Sequence, residues 1–428
     1  VEAAIEEADH VASVDLRNQR LIGDTMEPRS VIAEPREDGL TVTMTTQTPH
    51  QAVGFLAETL GLDPADVRVI APSVGGGFGI KGQDFPDEVL TAWAAMTLDR
   101  PVKWTSTRSE GHRTDYQSRD WYLAGELAVD DDGRMTGLRL DAEHTVGAYN
   151  VFPPTLSGNF QTLISGQYAI PAIHAHVVGS FTTTTPNAPY RGAGRPEVIY
   201  FLERLVDQAA RDLGLDPAEL RRRNQIPADA FPYETPTGAV YDSGDYETAL
   251  ELALEAVGYD ELRERQAELR EVGRHLGVGV ACFVENSGSS PGMGETGRVR
   301  VHDDGRVTAH LGTHDHGQGH GTTFAQLLAD ELGVGYDDVE VFEGDSADLP
   351  DGTGTFGSRS AALGGAAVVE AADDVRERAR AYAAERLEVA EADLEFADAA
   401  FHVTGAPERS VALAEVAADL EAAGEPLA

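Results

Sequence analysis

The sequence predicts an α+β protein of two mixed α/β units, and three observations lead there. Short alternating apolar segments, suited to half-buried strands, recur at 40–47, 67–72, 101–107, 298–301 and 307–311. Apolar residues at helical spacing fall between or after them, at 51–60, 88–96, 197–213, 322–332 and 361–387. The stretch 227–246 is rich in Pro, Gly and Tyr, and it divides the chain into residues 1–230 and 231–428. At 428 residues the chain exceeds the roughly 100–200 residues of one ordinary domain, so two units suit its length.

In the first unit, LTVTMTTQ (40–47) reads as a strand closed off by Pro49, and the helical pattern from Gln51 to Leu60 stops at Gly61. VRVIAP (67–72) is a strand that runs into a glycine-rich loop, followed by an apolar helix at 88–96. PVKWTST (101–107) is another strand, and turn signals such as Asp132-Gly133 predict hairpins between Tyr122 and Tyr149. Helices over 197–213 and 217–223 complete the unit. The second unit opens with a charged helix at 246–270, then strands at 277–284, 298–301 and 307–311, the last two joined at Asp304-Gly305. Helices at 322–332 and 361–387 follow, and the Ala/Glu-rich tail beyond Leu394 carries little pattern.

Composition removes several function classes. Hydrophobic residues make up 41% of the chain, enough for packed cores, but no run approaches about 18 uninterrupted apolar residues, so no membrane-spanning helix is expected. The 33 basic and 73 acidic residues leave a net charge of −40, with lysine confined to Lys81 and Lys103. Acids spread along the whole chain suit a halophilic protein kept soluble by surface carboxylates, and they repel the phosphates of nucleic acids. The lone Cys282 cannot hold a zinc or an iron–sulfur cluster, and within GVGVACFV it reads as a buried small hydrophobe. Iron–sulfur chemistry would therefore belong to another chain. The chain opens at Val1 rather than Met, so a targeting segment would not be visible.

Four segments carry chemistry. VGGGFGIK (74–81) follows a strand, and Gly77, Gly79 and Gly82 match the dinucleotide pattern G-x-G-x-x-G, but Gln83-Asp84-Phe85-Pro86 delays the helix that should receive the pyrophosphate. Gly82 after Lys81 rules out a phosphate-binding P-loop. Successive glycines here let backbone N–H groups approach an anion or oxo group, with Phe78 as a bulky wall; a plain strand–helix connection is the alternative. In PYRGAGRP (189–196) two arginines bracket small residues, which suits a polar substrate or pairing with the chain's own acids. THDHGQGHGT (313–322) allows a metal site at His314, His316 and His320. Its Gly-Gln-Gly turn is better suited to a polar ligand at a helix amino terminus. GTFGSRS (354–360) is a second such loop, with Arg359 expected to meet a phosphate.

Together and in this order, these segments resemble the large subunits of the xanthine dehydrogenase, aldehyde oxidase and carbon monoxide dehydrogenase family of molybdenum hydroxylases. The likeness extends over MEPR (26–29), TQTPH (46–50), VGGGFGIK, YRGAGRPE (190–197), YDSGDY (241–246), GQGHGT (317–322) and GTFGSRS. It implies two molybdopterin-binding domains and a molybdopterin cytosine dinucleotide whose dithiolene holds molybdenum, with no side chain as metal ligand. By the family pattern Gln47 approaches the metal's oxo ligand and Gly76, Gly77, Phe78 and Gly79 pack against the metal centre and pterin. Gln318, Gly319, His320 and Thr322, with Gly357, Ser358 and Arg359, line pterin and nucleotide, and Arg191 reaches the substrate. The resemblance also implies a cytoplasmic dimer of heterotrimers, with an iron–sulfur (2Fe–2S) small subunit and an FAD medium subunit taking the electrons.

Two departures refine it. Copper-containing carbon monoxide dehydrogenases carry a cysteine directly after the loop arginine, whereas Gly192 follows Arg191 here. The loop therefore resembles the copper-free branch, whose substrates are aldehydes or aromatic heterocycles. The family's general base, a glutamate in a late Gly-x-Gly-Glu motif, has no counterpart after the Gly-Gln-Gly turn. Gly292-Met293-Gly294-Glu295 has the letters but precedes that turn, and Glu295 is expected simply to lead into a strand. The second domain is thus expected to be incomplete at its C-terminal end and the chain to be a fragment. A non-catalytic cofactor-binding module is the alternative, and a nicotinamide or flavin dehydrogenase built on Gly77–Gly82 a weaker one.

Overall fold

The computed structural model describes residues 1–151, 155–288 and 293–428; Gly292 of the Gly-Met-Gly-Glu stretch lies outside them. The chain forms two compact units, each assembled from two stretches: Val1–Gly23 with Tyr116–Glu285, and Asp24–Asp115 with Asn286–Ala428. Helices and strands are mixed in both, as the α+β expectation requires.

The first unit is a four-stranded sheet in the order His10–Asn18, Trp121–Val129, Met135–Gly147, Ile173–Phe181. The first three strands are antiparallel and the last runs parallel to the third. The helix Arg195–Leu213 packs on this sheet through Val198, Phe201, Leu202, Leu205, Val206 and Ala209, all buried and spaced as one helical face. Gly125 marks their closest approach, since a Cβ there would stand 2.5 Å from the Phe201 ring. Where several hairpins were expected between Tyr122 and Tyr149, one long hairpin runs, turning at Gly133 with φ +77°. The charged helix at 246–270 is split, because Gly258 takes φ +64° and separates Tyr246–Val257 from Tyr259–Glu271. The strand expected at 277–284 is absent. Val278, Val280, Cys282 and Val284 do pack on the core alternately, but the Cys282 amide donates to the Glu203 carboxylate and the Phe283 carbonyl accepts from Gln167, so no ladder forms. Cys282 itself is buried.

The second unit holds two related βαβ arrangements. Gly39–Met44 pairs antiparallel with Ser30–Arg36, and the chain then crosses through the helix Pro49–Leu60 to Val67–Ile70, which lies parallel to Gly39–Met44. Val307–Leu311 likewise pairs antiparallel with Gly297–Val301 and crosses through His320–Leu332 to the parallel strand Val339–Glu343. Each is then backed by a further helix, Pro86–Leu98 in the first and Gly365–Leu387 in the second. Val31, Ala33, Val42 and Val69 form one core; Val299, Val307, Ala309, Leu328 and Val368 belong to the other. The tail adds a three-stranded sheet, Leu394–Ala397, Ala400–Val403 and Ala406–Ala412, closed by the helix Leu413–Ala422. The two arrangements meet where their parallel strands end: Ile70 bridges Asp345, and the Ala71 amide donates to the Gly344 carbonyl at 2.7 Å.

Candidate functional site

In open α/β sheets, ligands gather beyond the carboxyl ends of parallel strands. Within the second unit, Gln47 follows Gly39–Met44 and the glycine loop follows Val67–Ile70. Gln318 follows Val307–Leu311, and the Gly357–Arg359 segment follows Val339–Glu343. Four loops that the sequence singled out separately are thus equivalent ends of one repeated arrangement.

Gln47 ties them together. It is buried; its Nε2 donates to the Thr355 carbonyl at 2.7 Å and its Oε1 accepts the Gly79 amide at 2.9 Å. Its backbone amide donates to the Lys81 carbonyl, and its carbonyl accepts from the Thr355 amide. Gly77 is required at this crossing, because a Cβ there would stand 2.7 Å from the Gln47 side-chain amide. Gly76 and Gly79 both take φ +94°, and Phe78 at φ +56° holds its ring 48% exposed. Neither Glu27 nor Lys81 was singled out from the sequence as functional. Lys81, almost wholly buried, donates to the Glu27 carboxylate at 3.0 Å, and burial pushes its ammonium pKa down. That same carboxylate oxygen accepts the Gly75 amide, so one acid fastens both ends of the loop.

Two expectations for the second pair of loops change. The amides of the Gly-Gln-Gly turn are already occupied: Asp315 accepts from Gly317 at 2.7 Å, Gln318 at 2.8 Å, Gly319 at 3.3 Å and His320 at 3.2 Å. Burial alone would raise the Asp315 pKa, but these amides and the nearby His320 hold it lowered. The helix amino terminus is therefore capped from within, and an acid a few residues before a helix was the available signal. Arg359 is likewise spoken for. Its guanidinium pairs with Glu295, whose side chain is fully buried, and donates to the carbonyls of Gly294 and Gly354. It clamps the loop from beneath. Glu295 stands two residues ahead of Gly297–Val301, as expected of a residue leading into a strand.

His320 rests against Glu343 at 2.9 Å, and Gln318 lies 3.4 Å from its other nitrogen. Thr322 is exposed in the first turn of His320–Leu332. The His314 ring donates through Nε2 to the Pro72 carbonyl at 3.1 Å and lies 4.8 Å from the ring of His316, whose pKa burial pushes down to about 3. Among the described residues no group of three His, Cys, Asp or Glu side chains converges to hold a metal ion. The site instead offers open glycine flanks: added Cβ atoms at Gly317, Gly319, Gly321 and Gly357 would meet nothing within 4 Å. Those flanks suit a flat or extended organic cofactor approached by backbone.

Arg191 belongs to the first unit. Its loop runs through Gly192 at φ +95°, Ala193 at +43° and Gly194 at +95° into the helix Arg195–Leu213, and Arg191 itself is exposed. Arg119, which no sequence signal marked, donates from its guanidinium to the carbonyls of Tyr190 and Arg191.

Comparison with known proteins follows the same lines. A family profile described as a molybdopterin cofactor-binding domain matches residues 1–225, and a second of that description matches 252–428. The carbon monoxide dehydrogenase large chain of Hydrogenophaga pseudoflava is 38% identical, over 90% of this chain and 50% of its own length. The nicotine 6-hydroxylase large subunit of Paenarthrobacter nicotinovorans is 35% identical, over 97% of this chain and 53% of its own. Among solved structures, quinoline 2-oxidoreductase from Pseudomonas putida 86 has a TM-score of 0.93 at 32% identity, covering 99% of this chain and 56% of that one. The chain spans about half the length of the curated relatives it matches.

Proposed function

We propose that this chain, which belongs to the molybdopterin cofactor-binding family of molybdenum hydroxylase large subunits, serves an oxidoreductase that hydroxylates an aldehyde or an aromatic heterocycle with oxygen from water. Electrons would pass to an iron–sulfur (2Fe–2S) small subunit and an FAD medium subunit, in a dimer of heterotrimers. Relatives named for nicotine and quinoline support the heterocycle reading. Among the described residues no helix is long and apolar enough to cross a membrane.

One observation carries the choice of substrate class. At Gly192, directly after Arg191, φ is +95° and an added Cβ would stand 2.5 Å from the Pro196 ring. A cysteine there would be strained in backbone and crowded in side chain, so the loop as built refuses the residue that a copper site needs. The only cysteine, Cys282, is buried elsewhere in the first unit. Oxidation of carbon monoxide at a molybdenum–copper pair is therefore disfavoured despite the carbon monoxide dehydrogenase relatives.

The molybdenum cofactor, in the cytosine dinucleotide form, would supply the two-electron oxygen-transfer chemistry. The chain's own residues would hold and orient it. Gln47, pinned between Thr355 and Gly79, would present its remaining amide hydrogen, and the Gly76–Gly79 backbone with Phe78 would form a wall against the pterin. With the Gly-Gln-Gly amides capped by Asp315 and Arg359 clamped on Glu295, contacts from the second pair of loops fall to the side chains of Gln318, His320 and Thr322 and to the Gly357 and Ser358 backbone. Gly319 would give clearance. Arg191 would meet the substrate and stabilise negative charge developing on it. The division into domains at residue 230 is proposed at the level of sequence, supported by the two family profiles meeting between 225 and 252.

The test is elemental analysis for molybdenum and copper, with nucleotide identification, on the chain co-purified with its neighbours in high salt. Molybdenum with a cytosine nucleotide and no copper is expected. Copper equimolar with molybdenum would overturn the substrate class, and a well-folded complex without molybdenum would overturn the reading as a whole.

A further inference from the structure

We propose that Arg119 is a positioning residue for Arg191, a guanidinium aimed from beneath that sets where the arginine loop presents its side chain; this rests on the reading of Arg191 as the residue that meets substrate. The loop is intrinsically soft, with three successive residues at positive φ, two of them glycine. What holds it is a set of donors to its carbonyls. Tyr190 accepts from Arg119 Nη1 at 3.0 Å and from the Ala193 amide at 2.9 Å. Gly192 accepts from the Arg195 amide at 3.2 Å, and Ala193 from Asn159 at 2.9 Å. For Arg191 the donor is Arg119 Nη2 at 2.8 Å.

Arg119 is itself held without slack. It and Asp120 take φ +65° and +69°, a left-handed pair with no glycine, which persists only where the surroundings dictate it. The Asp120 carboxylate accepts from Thr145 at 2.8 Å and from Arg20 at 3.0 Å, while the Arg119 carbonyl accepts from Asn187 at 2.8 Å. At the other end Glu197, fully buried in the first turn of Arg195–Leu213, lies 3.1 Å from Nη1 as counter-charge. One planar fork thus spans a carboxylate and two consecutive carbonyls. A lysine, with a single point of donation, cannot reach all three.

The test is a double-mutant cycle in the holoenzyme, combining Arg119→Lys with Arg191→Lys. Turnover is read on whichever member of a panel of aldehydes and N-heterocycles the wild type oxidises fastest, and molybdenum content is measured on every variant. Arg119→Lys should lower kcat/KM by roughly 10- to 100-fold with molybdenum content kept, the size of effect that a small misplacement produces. In the Arg191→Lys background the same change should do almost nothing further, because its route of action is already gone. Equal losses in both backgrounds, or no loss in the wild-type background, would overturn the inference. If Arg191→Lys alone leaves turnover intact, it is the assignment of Arg191 that fails. Should Arg119→Lys lose its fold, Arg119→Gln with Glu197→Gln removes both buried charges together and runs through the same cycle, with the same outcomes deciding.

Discussion

Lys81 Nζ lies 3.0 Å from the Glu27 carboxylate, and the oxygen it meets also accepts the Gly75 amide at 2.7 Å. An almost fully buried ammonium and a backbone amide at the start of the glycine loop thus share one acceptor. Glu27→Ala strands the ammonium and frees the amide, and should destabilise the chain by about 1–3 kcal/mol. Lys81→Met removes the buried charge and leaves a half-exposed carboxylate, so it should cost less. Urea unfolding of the two variants checks the order; Lys81→Met proving the more damaging would refute the fastening role of Glu27.

Gly77→Ala places a Cβ 2.7 Å from the Gln47 side-chain amide. The glutamine must move and give up either Thr355 or Gly79. Loss of most bound molybdenum with little change in melting temperature is expected, read by elemental analysis beside a thermal scan. Full molybdenum occupancy would show that the crossing of Gln47 and Gly77 is unimportant for the cofactor.

Arg359→Ala distinguishes a clamp from a phosphate contact. Removal of the guanidinium leaves the Glu295 side chain, 0% exposed, as an uncompensated buried charge. A loss of about 3–5 kcal/mol is expected even in the cofactor-free chain. If stability falls only in the presence of cofactor, Arg359 contributes through the ligand.

Burial pushes the Glu88 carboxyl from 4.5 up to about 8, although Arg29 stands 3.6 Å away and pulls the other way. Across that interval the folded chain keeps a proton that the unfolded chain has released. The contribution is therefore greatest below 4.5 and is lost as pH rises through 8. Glu88→Gln imitates the protonated acid and keeps an oxygen for the Phe85 amide, so its melting temperature should fall less than that of the wild type as pH rises from 4.5 to about 8. Parallel curves would mean that Glu88 is ionised in the folded chain.

What the sequence disclosed follows from where its signals are local. Strands such as Val307–Leu311 and helices such as Pro49–Leu60 with Gly61 behind it are written in alternation, periodicity and a stop residue, and the structure has them. The 277–284 segment has the same alternation, yet its backbone partners are the side chains of Glu203 and Gln167, far off in the chain. The candidate loops were legible because glycine at left-handed positions is a local necessity. The burial of Arg359 was not legible, because an exposed arginine on a loop and a buried one look alike until Glu295 is found beneath it. Lys81 had a faint signal, as one of two lysines in a chain that otherwise uses arginine. Arg119 had none.

The interleaving of the two units bears on how the chain is made. Asp24–Asp115 emerges from the ribosome early, but the partners of Gln47, Arg68 and Ala71 lie in Asn286–Ala428. All of Tyr116–Glu285 must be translated in between, which at about 5–20 residues per second takes on the order of ten to thirty seconds. For that interval the early sheet waits with its loop ends unsatisfied, while the first unit can close on itself. Assembly is thus ordered by translation, because Gln47 and Ala71 cannot find their final neighbours until the loops of Asn286–Ala428 that hold Gly344 and Thr355 have been made.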